Sequence, residues 1–182
     1  MKTEYRELLL RLARTAIEHY LKYDKKYVPR DIPDDLQVYR ASFVTLTIDN
    51  ELRGCIGHLE SVQPLYMDVI ENAIAAAFKD PRFPPLTEDE FVTVKIEVSA
   101  LSRPETVTFN SKDELLESLA SKPGVIIQKN GMSATFLPQV WEQLTEPEDF
   151  LGHLCQKAGL AADEWERDVH VQTYTVEAFK ED

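Results

Sequence analysis

Cysteine, glycine and positive charge are all scarce in this chain of 182 residues. Its two cysteines, Cys55 and Cys155, lie far apart. A reduced pair of thiols fits that spacing better than a disulfide framework, and a chain of this length needs neither bridges nor metal to hold a core. Lys and Arg number 20 against 32 Asp and Glu, a net charge of -12. So acidic a chain repels phosphate backbones and anionic membranes, which argues against nucleic acid as a partner. The one basic run, Lys22, Lys25, Lys26 and Arg30, reads as a solvated helix end. No apolar run approaches the roughly 20 residues that span a bilayer, and Lys2, Thr3 and Glu4 do not make a signal-peptide layout. The expectation is a soluble, cytoplasmic protein with no membrane contact. A phosphate-cradling glycine loop, a CxxxCxxC set for an iron-sulfur cluster and a Ser-His-Asp signature are also missing.

What is present is well patterned. Leu8, Leu9, Leu12, Ala13, Ala16, Ile17, Tyr20 and Leu21 make a helical stripe within residues 4–24. Ser42 to Ile48 alternates as a strand, Asp49-Asn50 offers a tight hairpin turn, and Glu51 to Ile56 should return beside it. Pro64 opens a second helix with a stripe from Leu65 to Phe78. Arg82-Phe83-Pro84-Pro85 is then too proline-rich for regular helix or a central strand. Thr87 to Glu90 reads as a capping box, and Val92 to Ala100 as the clearest strand. Further on, Ser111 to Glu114 caps a helix, Asn130-Gly131 joins two short strands, and Thr145 to Gly159 bounds another helix. Val169 to Phe179 is expected to close the fold as one strand. Hairpins separated by helices predict an α+β fold with mainly antiparallel pairing.

The densest chemistry lies in Leu52-Arg53-Gly54-Cys55-Ile56-Gly57-His58. Strand periodicity places Arg53 and Cys55 on one face, where a guanidinium would favour the thiolate. Gly54 and Gly57 would let a substrate or another backbone approach. The same residues also describe a small buried cysteine in a glycine-bent strand. The spacing argues against a Cys2His2 metal set made of Cys55-x-x-His58 and His153-x-Cys155. Two residues apart on a helix lie about 200° around its axis, and Cys155 belongs to the apolar stripe with Leu151.

Four blocks in order carry a resemblance. They are Leu52-Arg53-Gly54-Cys55-Ile56-Gly57, Asp80-Pro81-Arg82-Phe83-Pro84-Pro85, Leu137-Pro138-Gln139-Val140-Trp141, and Phe150-Leu151 with Leu154-Cys155-Gln156-Lys157-Ala158-Gly159-Leu160. Together they resemble the AMMECR-domain family, whose prokaryotic members are called AmmeMemoRadiSam system protein A. The resemblance covers about Arg40 to Phe179. It implies a two-lobed fold with a cleft between lobes, and an association with a Memo-like protein and a radical SAM protein. No cofactor is expected from the residues. His58 stands where the family carries a small polar residue, so a role for it would not be family-wide.

Combining residues and resemblance, the larger lobe is expected at about 1–110 plus 137–182 and the smaller at about 111–136. Cys55 and Arg53 are the candidate catalytic pair, with Cys55 as nucleophile or general acid. Gly54, Gly57, His58, Arg82, Phe83 and Lys157 are candidates for lining a cleft that takes a small molecule or a peptide. Arg82 would either hold a carboxylate or phosphate, or form a salt bridge within a stiff connector. Lys157 is also explained as a cation near a helix C-terminus, and Trp141 and Phe150 as packing aromatics. Two functions follow from the same residues: an enzyme or catalytic accessory using Cys55, or a binding module that catalyses nothing.

Overall fold

The computed structural model describes residues 1–182. The apolar stripe near the N-terminus forms α1 (Thr3–Tyr23), ended by Asp24 in the left-handed conformation. Strands β1 (Ser42–Ile48) and β2 (Glu51–Gly57) are joined by Asp49 and Asn50 at φ of 52° and 66°, the values a tight hairpin turn demands. After α2 (Leu65–Phe78), Thr87 caps the short α3 (Glu88–Thr93) through a complete capping box with Glu90, and β3 (Lys95–Leu101) follows. The C-terminal half contains β4 (Glu105–Thr106), α4 (Lys112–Ser118), β5 (Gly124–Lys129) and β6 (Met132–Phe136). It continues through α5 (Pro147–Lys157), β7 (His170–Tyr174) and β8 (Val176–Lys180). The α+β class with antiparallel sheets is as the patterning predicts. No helix is long and apolar enough to cross a membrane.

The chain divides into two compact units, Met1–Leu101 with Glu177–Asp182, and Ser102–Val176. The first holds a sheet in the order β2-β1-β3-β8. Its core joins Leu9, Ala13 and Ile17 of α1 and Val69, Ile70 and Ala73 of α2 to Val44, Leu46, Ile96 and Val98 of the sheet. Each such side chain taken fully from water contributes about 1.5–3 kcal/mol, which is what fixes the helices on this face.

The second unit holds a sheet in the order β4-β7-β5-β6, over a core that includes Leu115, Val125, Ile127, Phe150, Leu154 and Val171. Trp141 stacks on Phe150 with ring centroids 3.8 Å apart and donates from Nε1 to the Pro123 carbonyl, so both aromatics pack as expected.

Two expectations are corrected here. The smaller lobe drawn at 111–136 omits residues 137–176, whose Trp141, Phe150, Leu151 and Trp165 share one core with Leu115 and Val125. The closing segment is also two strands. It breaks at Thr175, whose N–H donates to Ser102 Oγ while its carbonyl accepts the Ser102 N–H. That local bracket ends β7, and β8 then joins the other sheet.

Candidate functional site

Pairing of β1 with β2 runs Phe43 to Gly57, Val44 to Ile56, Thr45 to Cys55 and Leu46 to Gly54, and then shifts so that Thr47 faces Leu52. Arg53 is the extra residue of a β-bulge. A bulge re-aims the side chain it carries, and this one breaks the alternation that would put Arg53 beside Cys55. Arg53 is a buried residue, and its guanidinium is directed to α3 and the proline segment. Its Nε and Nη2 donate to Glu90 Oε1 and Oε2 at 2.8 and 3.0 Å, and Nη2 also donates to the Pro84 carbonyl at 2.9 Å. The sequence-based pairing of guanidinium with thiol is therefore overturned. The capping carboxylate of α3 takes the guanidinium instead. Nη1 is buried without an acceptor, and the Phe83 ring centroid lies 5.8 Å from the guanidinium carbon.

Cys55 occupies the sheet face away from the helices, in a cross-strand row with Thr45 and Glu97. Thr45 Oγ1 donates to Cys55 Sγ at 3.3 Å. The cysteine's backbone is closed on the outer side of β2. Its N–H donates to Asp80 Oδ2 at 2.9 Å, and its carbonyl accepts from Arg82 Nη2 at 3.2 Å. Asp80 and Arg82 are themselves joined by bonds of 2.7 and 2.9 Å. Of the two readings open for Arg82, the internal salt bridge is the one present, with the Phe83 ring 5.6 Å from its guanidinium carbon.

These clamps leave an electrostatic signature. Arg82 beside it, with the Cys55 N–H, holds the Asp80 carboxyl well below the usual carboxylate range. Glu90 is lowered to about 2, mainly by Arg53 and then by the Thr87 N–H. Both carboxylates are locked in the charged form by hydrogen bonding.

The two glycines make room for protein. A Cβ on Gly54 would strike the Ala76 carbonyl of α2, and one on Gly57 would strike the Phe43 ring of β1. They permit a helix and an aromatic ring to approach the strand. His58, just past β2, bonds through Nδ1 to Asp68 Oδ1 at 2.7 Å. Lys157 belongs to the second unit, where its Nζ donates to the Thr135 carbonyl at 2.9 Å and lies 5.0 Å from the centre of the Phe136 ring. Cys155 is fully buried, as its place in the apolar stripe with Leu151 implies, and Cys55 only partly so. Burial pushes the Cys155 thiol up from its ordinary value.

Thus Arg53, Cys55, Arg82 and Phe83 gather around one strand end, with His58 further along it and Lys157 in the other unit. Sequence reasoning gave Asp80 and Glu90 no role at the site and passed over Asp68. A signal existed for Asp68. It and Asn72 lie one turn apart inside the apolar stripe of α2, where both are buried, and buried polar pairs have partners.

Fold and site together define a class: an α+β protein of two antiparallel four-stranded sheets, with a glycine-flanked cysteine strand clasped by an Asp-Pro-Arg-Phe-Pro-Pro segment. The model of the AMMECR1 family matches residues 10–179, and the chain belongs to that family. It is 42% identical over 178 residues to a protein of Thermofilum pendens, covering 91% of this chain and 84% of that one. It is 39% identical over 186 residues to a protein of Methanopyrus kandleri, covering 97% and 88%. The crystal structure of a Pyrococcus horikoshii protein superposes with a TM-score of 0.83 at 39% identity, covering 100% of this chain and 94% of that one.

Proposed function

We propose that the protein is a binding module whose sheet face bearing Thr45, Cys55 and Glu97 meets a partner, and that it is not a thiol enzyme built on an Arg53–Cys55 pair. The observation that carries this reading is the engagement of Arg53. Its guanidinium is held bidentately by Glu90 and by the Pro84 carbonyl, so it serves the scaffold and not the sulfur. Asp80 and Arg82 stiffen the same strand from outside. A rigid, half-buried face of this kind suits recognition, because little ordering is needed on binding. The Memo-like and radical SAM proteins implied by the sequence resemblance are the partners to try first.

Calorimetry of the full chain against a Memo-like protein from the same genome tests the proposal. Cys55→Ala and Cys55→Ser should leave affinity within about twofold, whereas Glu97→Lys, which reverses a charge on the face, should weaken it by roughly tenfold or more. Equal affinity for all variants would remove this face from recognition.

The second reading, thiol catalysis, is favoured by the partial exposure of Cys55 and by Arg82 on its own carbonyl. Iodoacetamide labelling separates the two. A Cys55 that alkylates at pH 7 much faster than a free thiol, together with loss of cellular function in Cys55→Ser, would overturn the binding reading.

A further inference from the structure

A second candidate site lies on the helix side of the first unit's sheet, away from the Cys55 face. Asp68, on α2, is fully buried and accepts hydrogen bonds from several donors. The Ser42 N–H and hydroxyl reach Oδ2 at 2.8 and 2.7 Å, and the Asn72 amide reaches it at 2.9 Å. Oδ1 receives the Gln63 amide at 3.1 Å and the His58 Nδ1 at 2.7 Å. A carboxylate with four other donors does not need an imidazole for its own satisfaction. The imidazole, in contrast, is governed by the carboxylate. Its partner is an acceptor, so Nδ1 carries the proton, and the free nitrogen Nε2 is fixed in tautomer and aim.

His58 lines a pocket of about 310 Å3 together with Tyr20, Lys26, Glu71 and Lys79. Lys26 is ion-paired with Glu71, and Gln63 also donates to Glu71. With Lys26 so taken and the Asp68 carboxylate lying behind His58, Lys79 is the one ammonium lining the pocket that has no carboxylate in direct contact. A pocket that joins an unpaired ammonium to a pre-aimed imidazole nitrogen is complementary to a small oxyanion that can also donate a hydrogen bond.

We propose that this pocket binds a small oxyanion-bearing molecule, a phosphate or carboxylate compound, with His58 Nε2 and Lys79 as the contacting groups and Asp68 as the positioning residue. The phosphate and carboxylate sources are separated by the probes used: inorganic phosphate and lactate, a carboxylate that carries a hydroxyl donor, titrated into the full chain while the imidazole resonances are followed by NMR. One probe should shift the His58 ring saturably in the millimolar range, with His19, His153 and His170 as internal references. Lys79→Gln, an exposed change, should weaken that binding by about tenfold. Asp68→Asn should alter the ring nitrogen shifts that report the tautomer, a change that a merely space-filling role would not produce. If Asp68→Asn does not fold, Gln63→Leu tests positioning through the same carboxylate oxygen. No saturable shift with either probe, or parallel drift of all the histidines, overturns the site.

Discussion

Arg53 and His58 lie on either side of Cys55 along one stretch of chain, and each is held by a helix-borne carboxylate, yet the two pairs are built in opposite senses. In the first, the base is the buried member, with side-chain exposure of 10% for Arg53 and 33% for Glu90. In the second, the base is the open member, at 42% for His58 against 1% for Asp68. A buried base has no reach beyond its own scaffold, whereas a buried carboxylate leaves its partner's far side free for a ligand. An open base is still a brace where it is spent on the scaffold, as Arg82 is on the Cys55 carbonyl above the buried Asp80; His58 differs in that Nε2 has no protein partner.

The sharpest attempt to break this comparison is Asp68→Ala. It deprives the Ser42 and Asn72 groups of their buried acceptor and should cost about 3–5 kcal/mol in urea unfolding. A loss below about 1 kcal/mol would mean that the network is not structural. Arg53→Ala should cost less, about 2 kcal/mol, because Glu90 is partly solvated and regains water when its partner is lost. The same variant should leave the alkylation rate of Cys55 unchanged, and a large change in that rate would return the guanidinium to the thiol.

Acid offers a third probe. Glu90 and Asp80 are both depressed in the folded protein, so the unfolded chain binds protons first as pH falls. Their stabilisation is complete above the ordinary glutamate value of 4.5; that of Glu90 is lost as pH drops through about 2, and that of Asp80, held lower still, persists to more acid pH. Urea midpoints measured from pH 6 downward should show this decline, and Glu90→Gln should flatten part of it. The smallest effect belongs to His58→Ala. Removing the open member should change stability by no more than about 0.5 kcal/mol in thermal melts, while abolishing any ligand response in the pocket.

Much of the fold was legible because its signals are local. Asp49-Asn50 and Asn130-Gly131 turn as their left-handed φ values require, and Thr87 with Glu90 forms the capping box read from four residues. The site was less legible. A bulge is a mismatch between two strands, visible only once Leu46 and Thr47 are set against Gly54 and Leu52. Strict alternation therefore paired Arg53 with Cys55, whereas its guanidinium goes to Glu90 and the Pro84 carbonyl. Glu90 was read as a cap, and nothing local shows that one carboxylate both caps α3 and holds a guanidinium from β2. The grouping of 137–176 failed for a similar reason. An apolar face on α5 announces that it will be buried, but not against which sheet.

The clasp formed by Asp80 and Arg82 has a consequence for assembly. Strand β2 is the last strand on its side of the sheet, and an unprotected terminal strand is a template onto which another polypeptide can zip. At Cys55 both outward-facing backbone groups are already occupied, the N–H by a carboxylate and the carbonyl by a guanidinium. A foreign strand would have to displace a paired acid and base to gain two amide bonds. Self-association by sheet extension is thereby blocked at the point where glycines on either side would otherwise make the strand easiest to join.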